Sequence, residues 1–134
     1  MLKAWSDDYL IGIEAIDEQH RGFFEATHRL YDSILNCEGE KIVEESAGFL
    51  RDYAKQHFQV EEAFMAQHGY PRLEQHKRLH ANFFEVLERL LDELDVFGPS
   101  QHLADHALDI SQEWLIQHII DEDVQYAQYV KAGP

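Results

Sequence analysis

The sequence has one cysteine, three prolines and no uninterrupted apolar stretch long enough to span a membrane. A single cysteine, Cys37, excludes an internal disulfide bond, so a reducing compartment is the default expectation. The first residues become acidic where a signal peptide would need its apolar stretch. These absences predict a soluble, cytoplasmic protein that makes no membrane contact.

Basic residues are also scarce. Lysine and arginine number 11 against 26 aspartate and glutamate residues, and the formal net charge is -15. Binding to nucleic acids or anionic membranes depends on clusters of lysine and arginine, so this balance argues against both as partners. With 134 residues and 45% hydrophobic content, the chain predicts one domain over residues 1–134, of undetermined oligomeric state.

Apolar residues recur at helical spacing along most of the chain, and no segment alternates as a strand would. Asp17 is the predicted N-cap of the first helix and Ser100 that of the fourth, whereas the joins are marked by Gly39, by Gly69 with Pro71, and by Gly98-Pro99. Short joins predict an all-α, up-down-up-down antiparallel four-helix bundle. An N-terminal arm and four helices are predicted at residues 1–15, 17–37, 40–67, 71–96 and 100–131.

The second predicted helix carries His57 and Glu61 in a stripe that is otherwise apolar. Four positions advance an α-helix by about 400°, so both side chains leave the same face. Burying a carboxylate without a partner costs several kcal/mol, and a metal ion or a tightly bonded cation removes that cost. The pattern therefore indicates a metal site in the core.

The third helix repeats this spacing with His76 and His80. His57 lies about ten residues before the turn between the two helices, and the other two histidines lie about five to nine residues after it, so their levels agree to within a turn or two. His20 on the first helix and His118 on the fourth are further inward-facing donors. All four helices thus contribute candidate ligands.

Histidine spacing alone is a poor guide, as His102 and His106 show. They are also four residues apart, but they precede His118 by at least about 12 residues, or about 18 Å along the fourth helix. We expect them outside the site.

Taken together, in this order and at these intervals, the motifs resemble those of the hemerythrin family, in particular its bacterial single-domain members. The resemblance covers almost the whole chain. The matching segments are Trp5, Gly12-Ile13, Ile16-Asp17-Glu18-Gln19-His20, His57-Phe58-Gln59-Val60-Glu61-Glu62, Met65, His76, His80, Trp114-Leu115-Ile116-Gln117-His118-Ile119 and Asp123.

The resemblance implies reversible dioxygen binding, without catalysis, at two iron ions joined by a bridging oxo or hydroxo group. It also implies that the first iron has three nitrogen and three oxygen ligands. The second iron would have two nitrogen and three oxygen ligands and keep one open position. The implied ligands are His76, His80 and His118 for the first iron, His20 and His57 for the second, and Glu61 and Asp123 as bridges.

Among the implied ligands, Asp123 is the one that α-helical geometry supports least. It follows His118 by five residues, about 140° away around an α-helix, so Glu122 at four residues is a rival ligand. A local widening of the helix would bring Asp123 closer to the face of His118.

Apolar and aromatic residues near the predicted ligands are first of all core residues. In the iron-binding interpretation, they also form an oxygen pocket whose wall keeps water and protons from the open iron. The predicted pocket residues are Phe23, Phe58, Trp114, Leu115, Ile119 and Tyr126.

Three other interpretations stay open. The chain could be a di-iron enzyme acting on oxygen, peroxide or nitric oxide, but ferritin-like enzymes use two E-x-x-H pairs, and the pair Glu25 and His28 lies outside the predicted site. It could be an oxygen- or redox-sensing module acting in trans, or a bundle that holds zinc or no metal. Oxygen binding itself could serve storage, delivery to an oxygen-consuming partner protein, sensing or detoxification.

Overall fold

The computed structural model describes residues 3–132, which form helices and turns but no strand. The predicted all-α four-helix bundle is confirmed, with α2 against α1, α3 against α2, and α4 closing the bundle on α1. Residues 1 and 2 of the predicted arm lie outside the described residues. The four helices are α1 (Glu14–Leu35), α2 (Glu40–Gln67), α3 (Leu73–Phe97) and α4 (101–132).

The start of α1 differs from the prediction. The helix begins at Glu14, and its N-cap is Ile13, which makes no side-chain cap. Asp17 instead accepts hydrogen bonds from the backbone N–H groups of Ile11, at 2.8 Å, and Gly12, at 3.2 Å. The N-cap prediction was wrong because the Asp17 carboxylate binds backbone amides that precede the helix. These hydrogen bonds hold the arm against α1.

The arm packs on α1 through aromatic rings. It contains a 3-10 turn, Asp7–Tyr9, and the Trp5 ring lies edge-on to Tyr9 and Phe24, with centroids 5.3 and 5.7 Å away. Aromatic pairs at this spacing stabilise a fold by more than the burial of their apolar surface alone. The predicted packing of an arm on the bundle is therefore found for residues 3–13.

The fourth helix is not a uniform α-helix. Ser100 caps it as predicted, because its hydroxyl accepts a hydrogen bond from the N–H of Leu103 at 3.0 Å. Two π-helical turns then interrupt the α-helical geometry, at Asp109–Glu113 and Ile119–Asp123. Each π turn widens the helix locally, because its backbone hydrogen bonds span five residues instead of four.

All four helices contribute side chains to a continuous apolar core, including the fully buried Phe23, Leu50, Leu87 and Tyr126. Buried histidines and carboxylates occupy the end of the bundle where α2 turns into α3. Among residues 3–132, no helix combines the length and the apolar character that a bilayer crossing needs.

Candidate metal centre

The structure brings together all seven residues predicted as ligands. Each is at most 6% exposed, although each carries an ionisable or strongly polar side chain. They come from all four helices: His20 from α1, His57 and Glu61 from α2, His76 and His80 from α3, and His118 and Asp123 from α4.

Glu61 lies between two groups of histidines. Its Oε1 atom is 3.3 Å from Nε2 of His76 and 3.0 Å from Nε2 of His80. Its Oε2 atom is 3.2 Å from Nε2 of His20 and 3.2 Å from Nε2 of His57. Each carboxylate oxygen therefore faces a different group.

Asp123 divides its oxygens in the same way. Oδ1 is 3.1 Å from Nε2 of His76 and 3.2 Å from Nε2 of His118, whereas Oδ2 is 3.0 Å from Nε2 of His20. Both carboxylates thus reach from the three-histidine group (His76, His80 and His118) to the two-histidine group (His20 and His57).

Donor spacing within the three-histidine group has the dimensions of a metal site. Nε2 of His118 is 3.0 Å from Nε2 of His76 and 3.2 Å from Nε2 of His80. Bonds of about 2.1 Å that meet at right angles, as in an octahedral site, separate neighbouring donors by about 3.0 Å. With one oxygen from each carboxylate the group offers five donors, more than the four of a tetrahedral site.

The donor orientation also fits a cation. Both oxygens of Asp123 are buried and have no hydrogen-bond partner among residues 3–132, although three imidazole nitrogens lie within 3.2 Å of them. The atoms are close but are not aligned for hydrogen bonds. A buried carboxylate left in this way is costly unless a positive charge compensates it, so these residues fit a bound metal ion.

Electrostatics in the cluster favours charged side chains. Burial raises the pKa of Glu61 and of Asp123, but the facing histidines outweigh burial and hold both pKa values below their usual range. Burial lowers the pKa of His20 and of His76, but contacts with the same carboxylates raise both to about 9. The two carboxylates are therefore ionised at neutral pH, as metal binding requires.

The second π turn of α4 presents Asp123 to the site. It covers Ile119–Asp123, so the five-residue step from His118 is close to a full turn there. Both side chains consequently face the bundle interior, and Glu122 stays half-buried. The structure places Asp123 rather than Glu122 in the cluster and contains the local widening that this placement needs.

Two residues that the sequence reasoning gave no role hold the outer sides of the imidazoles. Nδ1 of His57 donates a hydrogen bond to Oε1 of Gln19 at 2.8 Å, and Nδ1 of His80 donates one to Oε2 of Glu62 at 2.7 Å. Such partners orient a histidine and leave its other nitrogen free for a metal. The available signal was their position next to a predicted ligand in the sequence.

Tyr126 adds a hydrogen bond of a different kind. Its hydroxyl donates to Oε2 of Glu61 at 3.0 Å, and the side chain is fully buried. Burial and the nearby carboxylates raise its pKa far above its usual range, so the hydroxyl keeps its proton. The hydroxyl therefore lies next to the carboxylate oxygen that faces the two-histidine group, whereas the ring lies edge-on to His76 of the three-histidine group, with centroids 5.7 Å apart.

The other predicted pocket residues line both histidine groups. Phe58 stacks on His80 with ring centroids 3.8 Å apart, the half-buried Trp114 stacks on His118 at 4.5 Å, and Phe23 lies edge-on to His57 at 5.9 Å. Leu115 and Ile119 are buried in the core. Phe58 and Trp114 thus support the three-histidine group instead of facing only the predicted open position.

Histidines expected outside the site are in other surroundings. His102 and His106 stack on each other near the start of α4, with centroids 6.5 Å apart, and neither belongs to the buried cluster. His28 donates a hydrogen bond to the carbonyl of Lys3 at 2.7 Å, and His68 at the end of α2 packs on Phe64.

Comparison with known proteins points to one family. The family described as the hemerythrin HHE cation binding domain matches residues 11–130. The chain is similar to the bacteriohemerythrin of Stenotrophomonas maltophilia, with 34% identity over 131 residues that cover 98% of this chain and 83% of that protein. It is also similar to the bacteriohemerythrin of Clostridium acetobutylicum, with 31% identity and coverage of 91% and 96%, and to the myohemerythrin of Theromyzon tessulatum, with 28% identity and coverage of 91% and 88%.

Proposed function

Because this chain belongs to the hemerythrin family, we propose that it binds dioxygen reversibly at two non-heme iron ions and catalyses no reaction. The three-histidine group would hold one ion and the two-histidine group the other. Glu61 and Asp123 would bridge the two ions, together with an oxo or hydroxo group.

The unequal donor sets carry this proposal. Glu61 and the three histidines His76, His80 and His118 offer four donors within 4.8 Å of one another, whereas Glu61, His20 and His57 offer three. Asp123 would add one oxygen to each set, since Oδ1 lies 3.1 Å from His76 and 3.2 Å from His118 and Oδ2 lies 3.0 Å from His20, which makes five donors against four. If a shared oxygen completes the first set to six, the second set reaches five. An open position on a metal is what separates a site that binds a small molecule from a purely structural one.

Iron fits this donor chemistry. Imidazole and carboxylate ligands suit iron better than a metal that seeks thiolates, and the sole cysteine, Cys37, is exposed. Bound as ferrous ions, the pair would supply the electrons that reversible dioxygen binding needs. The ionised carboxylates of Glu61 and Asp123 would offset part of the metal charge.

The chain's own residues would fix the ligands and keep the site dry. Gln19 and Glu62 hold two imidazoles from outside, and Tyr126 holds Glu61. Phe23, Phe58, Leu115 and Ile119 are each at most 3% exposed and would exclude water from bound oxygen. Storage, delivery to an oxygen-consuming protein and sensing would all use this same site.

The deciding experiment loads the protein with ferrous iron under anaerobic conditions, admits dioxygen and then removes it. We expect two irons per chain, a ligand-to-iron charge-transfer absorption on oxygenation, and its loss when oxygen is removed. Irreversible bleaching, or steady consumption of oxygen with a reductant, would instead favour the di-iron enzyme. One zinc ion or no metal per chain in elemental analysis would contradict the proposal outright.

A further inference from the structure

A groove of about 570 Å³ lies between the first turns of α2 and the last turns of α3. It is at the end of the bundle opposite the candidate metal centre, which lies where α2 turns into α3. None of the proposed ligands lines it.

The floor of the groove is apolar. Val43 and Ala47 of α2 contribute buried side chains, and Leu91 and Leu94 of α3 are half-buried. Leu87 and Leu90 already fill the core below, so α3 carries a wider apolar stripe than the core covers. Phe97, three residues after Leu94 and 77% exposed, lies beside this stripe just beyond the groove.

The rim of the groove is acidic. It carries Glu40, Glu44, Glu88, Asp92 and Asp95 against one basic residue, Arg51. Arg51 is already paired with Glu88 at 2.7 Å, and the lysine and arginine ion pairs formed within residues 3–132 involve none of the other four carboxylates.

We propose that this groove docks a basic amphipathic helix of another protein. Such a helix would place an apolar stripe mainly on the half-buried Leu91 and Leu94, above the buried floor residues Val43 and Ala47, and its lysines and arginines would face the acidic rim. The stretch from Glu40 to Arg51 is about 16 Å long, room for about three helical turns.

The acidic rim favours a cationic helix over a second copy of the chain. A copy would also carry a formal charge of -15, and would bring further carboxylates towards the acidic rim. A cationic helix would relieve the repulsion among the rim carboxylates. It would also cover apolar surface that the fold leaves open.

The test uses the full chain and a synthetic 16-residue helical peptide of leucine and lysine, with leucines along one face and a fluorescent label. Fluorescence anisotropy at about 50 and 150 mM salt measures binding. We expect saturable binding by one peptide per chain that weakens at the higher salt. A peptide of the same composition with scrambled leucines, and one with glutamate in place of lysine, should bind at least about tenfold more weakly.

Matched variants distinguish binding in the groove from binding that depends only on the net charge of the chain. The double change Glu44→Lys and Asp92→Lys alters exposed rim residues and should weaken peptide binding at least about tenfold. The change Glu14→Lys and Glu25→Lys makes the same charge difference on exposed positions of α1, and should weaken binding less than about threefold. Leu91→Asn tests the apolar floor without changing charge and should also weaken binding.

Equal loss in both double variants, or equal binding of the scrambled peptide, would overturn the proposal, because net charge alone would then explain the binding. Sedimentation of the chain alone tests the other occupant. A dimer that the rim variants alter and the α1 variants do not would assign the groove to a second copy.

Discussion

At the scale of single residues, the proposed iron site would give the two histidine groups different tasks, although all five side chains are buried. His20 and His57 belong to the four-donor group, where the proposed open position lies. His76 belongs to the five-donor group and contacts both carboxylates. Removing one histidine from each group should therefore have unequal effects on oxygen binding.

We predict that His57→Ala abolishes the absorption change on oxygenation while the protein retains at least about one iron per chain. His76→Ala should instead lower iron content and oxygenation together. Elemental analysis and anaerobic oxygen titration of both variants measure this, with His102→Ala as the control histidine outside the cluster. Equal iron loss in the first two variants would refute the asymmetry.

Glu62 should adjust iron binding through His80 without being a ligand itself. Replacing it with glutamine keeps a hydrogen-bond acceptor but removes the charge, which weakens the donor strength of the imidazole. We expect Glu62→Gln to lower iron affinity by about 10-fold or more, measured by competition with a chelator. Glu45→Gln removes an exposed charge on the same helix and should leave the affinity unchanged.

The stability of the metal-free protein should depend on pH in a direction set by the same cluster. The pKa values of His20 and His76 are about 9 in the folded protein against an ordinary value of 6.5, so their contribution is complete below about pH 6.5 and is lost as pH rises through 9. Glu61 and Asp123 have lowered pKa values in the folded protein, so they add stability at any pH above the ordinary pKa of a carboxyl group. This contribution is lost as the pH falls through their lowered pKa values.

Urea unfolding of the metal-free protein should therefore show a lower free energy of unfolding at pH 9 than at pH 6. His20→Gln should reduce this difference, whereas His102→Ala should not. Iron affinity should change in the opposite direction and rise with pH, because a histidine must lose its proton to bind a metal. A metal-free protein more stable at pH 9 than at pH 6 would be inconsistent with the raised pKa values.

At the scale of secondary-structure elements, the π turn in α4 decides which acidic residue enters the cluster. In a uniform α-helix, Glu122 would lie nearer the face of His118 than Asp123 does. The turn Ile119–Asp123 changes this order by taking in the extra residue. One extra residue in a single helical turn therefore places the carboxylate of Asp123 where it faces both histidine groups.

We predict that Asp123→Ala lowers the iron content to at most about one per chain, because one oxygen is lost from each group. Glu122→Ala should retain two irons, since that half-buried side chain lies outside the cluster. Elemental analysis with circular dichroism, to check that both variants fold, measures the difference. Iron loss in the Glu122 variant alone would mean that the helix is α-helical here when it binds iron.

At the scale of the whole molecule, bound metal should contribute strongly to stability. The formal charge is -15, and two ionised carboxylates are buried in the cluster, so bound cations would lower the net negative charge of the folded protein. A ligand that binds only the folded state at about 1,000 times its Kd adds about 4 kcal/mol, on the order of 10–20 °C in Tm for a chain of this size.

Anaerobic thermal unfolding with and without ferrous iron measures this gain. Salt alone at the same ionic strength is the control, because screening of surface charge also raises Tm. An iron-dependent increase no larger than that caused by salt would show that the cluster is not a metal site that stabilises the fold.

Sequence by itself determined the helices and the candidate donors, because both depend on local spacing. A step of four residues places His57 and Glu61 on one face of α2, and apolar stripes with glycine and proline breaks delimit four helices. The start of α1 was missed by three residues, since Asp17 has the composition of an N-cap but binds amides of the arm.

Only the tertiary structure decided which donors converge and how they are held. Both carboxylates divide their oxygens between two histidine groups that come from four helices, and no local spacing encodes such distances. The position of Asp123 depends on a π turn, and Gln19 and Glu62 gain their roles from imidazoles 38 and 18 residues away in the sequence. Spacing along a helix sets a side chain's direction, but helix packing sets what it meets there.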